Sequence, residues 1–182
     1  MRHSIVMSAA FASAVCAMLA APANAEEFSA KFSGFNEIGG LGAGETGAIL
    51  SEGKGTLHLT LDRRAQTLTF KLTYSDLSSA VTQSHIHFGK ARVAGGIIVF
   101  FCSNLASPPP GTQPCPANGG TVTGTITGAN VIGPAAQNVT PGDFDALSDA
   151  LSSHTAYGNV HTMKFPAGEI RGDIRPGDGD DD

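Results

Sequence analysis

The sequence predicts a mainly β protein, an antiparallel β-sandwich or barrel-like fold of about eight strands with one short helix. Apolar and polar residues alternate with a period of two in several short runs, which is typical of half-buried strands. The 182 residues include 23 Gly and 10 Pro, which supply turns between the runs. Hydrophobic residues make up 41% of the chain, a share that favours a packed core over disorder.

The alternating runs define the strands in chain order. Residues 62–65 separate two such runs and predict a hairpin turn. The continuous apolar run at 97–101 predicts a strand buried on both faces. The predicted strands cover residues 28–32, 57–61, 67–74, 84–88, 97–101, 122–126, 156–162 and 169–174.

One helix is predicted near residues 141–152. Thr140 suits the N-cap, and Pro141 suits the first helical position. Asp143 follows Thr140 by three residues, as in a weak capping box, and its charge favours the helix dipole. The apolar face of this helix comprises Phe144, Leu147 and Leu151.

The first 25 residues have the pattern of a signal peptide. A short basic segment precedes an apolar stretch from about 5 to 21, and Ala23–Ala25 supply the small residues of a cleavage site. A membrane anchor is the alternative, but the apolar stretch is short and rich in Ala and Ser. We therefore expect a secreted or periplasmic protein with no membrane span once the signal is removed.

The two ends of the chain bound a single predicted domain, residues 26–175. Residues 176–182 are mostly acidic and carry no apolar side chain, which predicts a disordered tail. The formal net charge is −5, and the 11 Lys and Arg residues are scattered, with Arg63 and Arg64 the only adjacent pair. That pattern argues against a nucleic-acid partner.

Two cysteines remain after removal of the signal, Cys102 and Cys115. An even pair in an exported protein predicts a disulfide, here closing a Pro-rich loop. In the chain-entropy description such a loop is worth roughly 3 kcal/mol. Two metal thiolates are the alternative, disfavoured because the chain has no CxxC pair.

Three histidines are candidate metal ligands. His85 and His87 lie two apart in a predicted strand, so both imidazoles leave the same face. If the strand of His161 lies beside them, the three rings converge, an arrangement that suits zinc or copper. Tyr157 and Asn159 share the face of His161. The alternative is that these histidines are ordinary polar residues, exposed or bonded to backbone carbonyls.

The other polar candidates are weaker. His58 and His154 are expected to be structural. Glu169, Arg171 and Asp173 alternate on one face of the last strand, which favours a surface salt-bridge ladder. Their alternative role, with Tyr157 and Asn159, is to orient an imidazole of the histidine cluster.

No catalytic motif is visible in the sequence. It contains neither a phosphate-binding Gly-rich loop before a helix, nor a GxSxG elbow, nor HExxH. We therefore predict no recognisable catalytic machinery, and a hydrolase is the least favoured function.

Several segments resemble the CHRD domain, a family named after chordin. The clearest are residues 84–89, 97–100, 159–162 and 165–172, and the resemblance spans roughly residues 28–175. Family members often have Pro after the opening Asn-Glu, where this chain has Ile38. The Pro-rich insert at 102–120 also departs from the family pattern.

The resemblance implies a secreted domain without a settled activity. In chordin, the domain accompanies modules that bind growth factors. The expectation is therefore a binding or structural module of the cell envelope or exterior. Its partner would be an unknown extracellular or envelope protein or a surface ligand.

A second segment, residues 85–89, resembles the His-x-His strand of copper/zinc superoxide dismutase, where both histidines ligate copper. The chain lacks the later zinc-loop histidines of that family and its cysteine pattern. The resemblance implies an alternative function, a copper- or zinc-binding β-sandwich with redox activity.

Overall fold

The computed structural model describes residues 25–38 and 47–177, which form an antiparallel sheet nearly closed into a barrel. The strand order is β5-β4-β7-β8-β1-β2-β3-β6, and the short β9 pairs with β1. The terminal strands β5 and β6 contact each other, which brings the ends of the sheet together. The strands are β1 (Glu26–Ser33), β2 (Lys54–Asp62), β3 (Thr67–Ser75), β4 (Val81–Phe88), β5 (Gly96–Ser103), β6 (Gly120–Ile126), β7 (Ala156–Thr162), β8 (Ile170–Asp173) and β9 (Arg175–Pro176). The predicted fold class is confirmed.

The core fills the inside of the barrel because the strand period of two directs every second side chain inward. On β2 and β3 the fully buried leucines face one another across the strands, as in the pairs Leu57–Leu72 and Leu61–Leu68. The hairpin predicted between these strands is present, and Asp62 Oδ1 accepts a hydrogen bond from Ala65 N at 2.8 Å. Alternation in the sequence therefore places the core correctly.

Two glycines make room for the buried ring of Phe32. Gly158 on β7 and Gly172 on β8 are directly paired. A Cβ at either position would lie 2.6 Å or 2.5 Å from an atom of that ring. These glycines let a phenylalanine from β1 pack close against the backbone of both strands.

The helix α1 spans Phe144–Ser152, so the predicted start at Thr140 and Pro141 is wrong. Asp143 is the N-cap, and its Oδ1 accepts a hydrogen bond from Ala146 N at 2.9 Å. Gly142 has φ of +92°, a left-handed conformation that ends the preceding turn before the helix begins. The predicted apolar face is confirmed, since its three residues are buried. Three 3₁₀ helices lie at Gly34–Asn36, Gly128–Asn130 and Ala135–Gln137.

The prediction that the strand at 97–101 is buried on both faces holds for only some of its residues. Ile98, Val99 and Phe101 are buried in the core, whereas Ile97 and Phe100 are half-buried. Irregular register between β4 and β5 accompanies this pattern. Phe100 lies opposite His85 in the pairing, and this position brings it to the candidate site.

The predicted disulfide is present between Cys102 and Cys115, with Cα atoms 5.0 Å apart. It joins the end of β5 to the segment before β6. The side chain of Asn104 reinforces the link, because it donates to Val81 O and Cys115 O and accepts from Cys115 N. The Pro-rich loop is thus anchored by both a covalent bond and hydrogen bonds.

The predicted terminal segments fall mostly outside the described residues. Residues 1–24 of the predicted signal and 178–182 of the predicted tail are among those not described. Pro176 and Gly177 pair with β1, and Gly177 N donates to Glu27 O at 2.8 Å.

Candidate metal centre

The strand β4 lies between β5 and β7, so the strand of His161 lies beside the strand of His85 and His87, which is the condition for the three rings to converge. His85 pairs with Asn159, and His87 pairs with Tyr157. The intervening Ile86 points into the core and is fully buried. Because neighbouring residues of a strand point to opposite faces, the histidines lie on the outer face of the barrel wall.

The structure brings the three histidines together. One ring nitrogen from each lies within 4.8 Å of the others. The ring centroid of His85 is 4.6 Å from that of His87 and 4.6 Å from that of His161. All three are buried, with 1%, 9% and 6% of the surface of His85, His87 and His161 exposed. The three histidines thus form a compact, buried polar cluster.

Two connecting segments cover the cluster with main-chain groups. Gly95, in the loop between β4 and β5, accepts from His87 Nδ1 at 2.8 Å and donates its N–H to Tyr157 Oη at 3.1 Å. Pro166, in the turn between β7 and β8, accepts from His161 Nδ1 at 2.8 Å. Hydrogen bonds on the side away from the cluster therefore hold the rings of His87 and His161 in place.

These bonds fix which nitrogen carries the proton. A carbonyl oxygen only accepts, so Nδ1 of His87 and of His161 must be protonated, and each neutral ring keeps its lone pair on Nε2. His161 Nε2 and both nitrogens of His85 have no hydrogen-bond partner among the described residues. His87 Nε2 lies 3.2 Å from Asn159 Oδ1, so with Nδ1 protonated the two atoms form a hydrogen bond only when the Asn159 amide is turned to place its NH₂ group toward the ring.

Burial keeps the cluster uncharged. It lowers the pKa of His85 well below 6.5, and the charges that His161 and His87 would carry lower it further, while the nearby Asn159 amide opposes the shift. Burial likewise lowers the pKa of His87 to about 4. The pKa of His161 is lowered by burial against the opposing effect of its bond to Pro166. Three neutral imidazoles at pH 7 are in the form that ligates metals.

A stack of three side chains supports His87 from one side. The Tyr157 ring lies parallel to the His87 ring, with centroids 4.6 Å apart and an angle of 5°. The Arg171 guanidinium carbon lies 3.3 Å from the centre of the other face of Tyr157, a cation–π contact. Arg171 also donates to Lys90 O and Val93 O in the covering loop. Tyr157, Asn159 and Arg171 thus all contribute to the surroundings of the cluster.

The surface ladder predicted for β8 is wrong, because Glu169 and Arg171 are fully buried. Arg171 and Asp173 still form an ion pair, with Nη2 and Oδ1 3.6 Å apart. The covering loop removes Arg171 from water, which alternation along the strand does not reveal. Glu169 also lies outside the strand, since β8 begins at Ile170 and not at the predicted residue 169.

Glu169 holds a separate polar network and contacts none of the three imidazoles by a hydrogen bond. Its carboxylate accepts from Ser51 Oγ at 2.6 Å, Thr162 Oγ1 at 2.7 Å, Ser78 N at 2.8 Å and Ser78 Oγ at 2.9 Å. Burial raises the pKa of this carboxyl, but the four hydrogen bonds outweigh it and leave the pKa below 4.5. Its role is to join β7 and β8 to two loops.

Sequence reasoning missed three contributors to the site. Phe100 meets His85 edge to face with centroids 4.9 Å apart. Gly95 has no room for a side chain, since a Cβ there would lie 1.8 Å from Phe88 O. Glu37 is buried, and its carboxylate occupies the space beside Gly168. Of these, only Gly95 leaves a signal in the sequence, as one of two adjacent glycines before the apolar run of β5.

The other two histidines within residues 25–38 and 47–177 lie apart from the cluster. His58 is exposed on the outer face of β2. His154 is exposed after the helix with φ of +58°, and its carbonyl accepts from Arg175 Nη1 at 3.0 Å.

Among the described residues, the longest helix is α1 with nine residues, and none has the length and apolarity that a bilayer crossing needs. Comparison of the chain with curated proteins and with solved structures yields no match. The profile of the CHRD domain matches residues 28–174. That match covers most of β1, all of β2 to β8, the disulfide and all three clustered histidines. The chain belongs to the CHRD domain family.

Proposed function

We propose that the domain binds one transition-metal ion, copper or zinc, through His85, His87 and His161. The observation that carries this proposal is the convergence of three buried, neutral imidazoles whose ring nitrogens lie within 4.8 Å. Metal-ligating histidines typically donate their other ring N–H to a carbonyl, as His87 and His161 do here. An all-imidazole donor set suits both metals.

The distances need only a small adjustment. Three atoms 4.8 Å apart lie about 2.8 Å from their common centre, whereas zinc–imidazole bonds are about 2.0–2.1 Å. Each ring nitrogen would therefore move inward by at most about 0.7 Å. His85, which has no hydrogen bond to break within the described residues, is the ring that moves most easily.

A direct measurement of bound metal tests the proposal. The metal-free protein would be loaded with copper or zinc, desalted, and assayed for metal by mass spectrometry. We expect one equivalent in the wild type and its loss in the double variant His85→Ala/His87→Ala. His58→Ala, which removes an exposed histidine from β2, is the matched control. Equal metal in the double variant and the control would refute the site.

We also propose that the protein is exported, to the periplasm or the exterior, and serves there as a binding or structural module. The signal-like segment 1–25 and the family support this, and the Cys102–Cys115 disulfide is typical of an oxidising compartment. Redox activity in the manner of superoxide dismutase rests only on the His-x-His resemblance. A likeness of that kind does not transfer chemistry.

Partner capture separates the binding module from the metal site. Native envelope extract would be passed over immobilised wild-type protein and over His161→Ala. A partner retained equally by both would support a binding role that is independent of the histidines. Absence of any partner on the wild type would count against the binding module and leave the metal proposal unaffected.

A further inference from the structure

We infer that the three-histidine cluster selects copper(I) over copper(II) and zinc(II), an inference that rests on the metal site proposed above. The first argument is the charge of the ligands. The three imidazoles are neutral, and no Asp or Glu within the described ranges joins the group. The nearby Glu169 is occupied by Ser51, Ser78 and Thr162. The charge of a bound ion would therefore stay uncompensated by its ligands.

Burial makes that uncompensated charge costly. The desolvation cost of an ion rises with the square of its charge, so a divalent ion is penalised about four times as strongly as a monovalent one. No more than 9% of the surface of any of the three histidines is exposed. The aromatic rings of Phe100 and Tyr157 pack against His85 and His87. Little solvent is available to reduce the penalty.

Coordination number points the same way. Zinc is almost always four-coordinate in proteins and would need a fourth donor besides the three imidazoles. Copper(I) is satisfied by two or three ligands. The carbonyls of Gly95 and Pro166 do not supply that fourth donor, because they accept hydrogen bonds from Nδ1 of His87 and of His161. The described residues thus complete a three-coordinate site.

The buried guanidinium of Arg171 adds a fixed positive charge. Through the stack on Tyr157 it lies within about 8 Å of the His87 ring. At an effective dielectric constant of about 20, one extra unit of charge at that distance costs up to roughly 30-fold in affinity. The ion pair with Asp173 at 3.6 Å and the buried carboxylate of Glu37, whose charge acts on Tyr157, offset part of this, so we expect a discrimination of at most about tenfold from Arg171.

Competition titrations test the inference. Metal-free protein would be titrated with copper(I) under anaerobic conditions against a chromogenic copper(I) chelator, and with zinc(II) and copper(II) against chelators for those ions. We expect the copper(I) affinity to exceed both divalent affinities by about 100-fold, and His85→Ala to abolish copper(I) binding. Divalent binding that is equally tight and equally dependent on His85 would overturn the inference and leave the metal site standing. Binding of every ion that is unchanged in His85→Ala would overturn the metal site itself.

A charge variant isolates the contribution of Arg171. Arg171→Gln should reduce the preference for copper(I) over zinc(II) by up to about tenfold, whereas Arg171→Lys, which keeps the charge, should retain it. Circular dichroism would verify that both variants fold. An unchanged preference in a folded Arg171→Gln variant would overturn the role of the guanidinium, and the wild-type titration decides the inference if either variant fails to fold.

Discussion

Acidification should destabilise the metal-free protein through its three buried histidines. Burial lowers the pKa of His87 from 6.5 to about 4 and lowers the pKa values of His85 and His161 in the same direction. Below pH 6.5 the unfolded chain takes up protons that the folded chain does not bind. The free energy of unfolding therefore falls as the pH falls through this range.

The size of the effect follows from the shift at His87. A change from 6.5 to about 4, at 1.36 kcal/mol per pKa unit, costs roughly 3 kcal/mol once the pH reaches about 4. His85 and His161 add losses of the same sign. A domain of this size is typically stable by about 5–15 kcal/mol, so the loss is a large part of the total.

Urea denaturation of chelator-treated protein at pH 7.5, 6.5, 5.5 and 4.5 measures this loss. The window ends at pH 4.5 because the carboxyl of Glu169, with its lowered pKa, contributes to the pH dependence below that value. His87→Gln should make the fall in unfolding free energy shallower, whereas His58→Gln, at an exposed site, should leave it as in the wild type. A wild-type unfolding free energy that stays constant across the window would refute the argument.

Three further predictions concern stability, each measured by urea or thermal unfolding. Glu169→Gln should lower the unfolding free energy by about 1–3 kcal/mol, because the buried carboxylate accepts four hydrogen bonds. Because the pKa of Glu169 is lowered in the folded state, its contribution to the unfolding free energy is present above pH 4.5 and lost as the pH falls through the folded pKa. If the unfolding free energy of Glu169→Gln fell by the same amount over this acidic range, the role of the carboxylate would be contradicted. Replacing Cys102 and Cys115 by Ala should cost roughly 3 kcal/mol, and an unchanged midpoint would show that the loop needs no cross-link. Gly158→Ala should cost about 1–3 kcal/mol, since its Cβ would lie 2.6 Å from Phe32 Cζ, and a neutral effect would mean that the ring moves aside.

The histidine cluster shows how far a sequence leads toward a site. The spacing of His85 and His87 predicts a shared face, because strand geometry alone decides it. The same rule groups Tyr157 and Asn159 with His161. Whether the two strands are neighbours depends on sheet order, which no local pattern determines. That step required the fold, and the structure supplies it by placing β4 against β7.

The failures of prediction share one physical origin. Arg171 has the sequence context of a surface residue, yet a loop from elsewhere in the chain covers it and accepts its hydrogen bonds. The N-cap of α1 is Asp143, three residues after the predicted Thr140, because the backbone at Gly142 adopts a left-handed conformation. The burial of Arg171 and the start of the helix both depend on the conformation of a connecting segment, whereas hydrophobic periodicity predicts only helices and strands.

This dependence on connecting segments identifies what makes the cluster a site. The outer face of a barrel strand is ordinarily wet, and histidines there would be exposed. Here the loop before β5 and the turn before β8 cover the outer face that carries the histidines, and each segment contains a glycine where the chain packs tightly. Gly95 approaches Phe88 O too closely for any side chain, and Gly168 combines φ of +132° with contact to Glu37. The carbonyls of Gly95 and Pro166 then fix the His87 and His161 rings. The geometry of the proposed ligands is thus set by the backbone of two glycine-containing loops, so a substitution at Gly95 should disorder His87 and weaken metal binding although it removes no ligand.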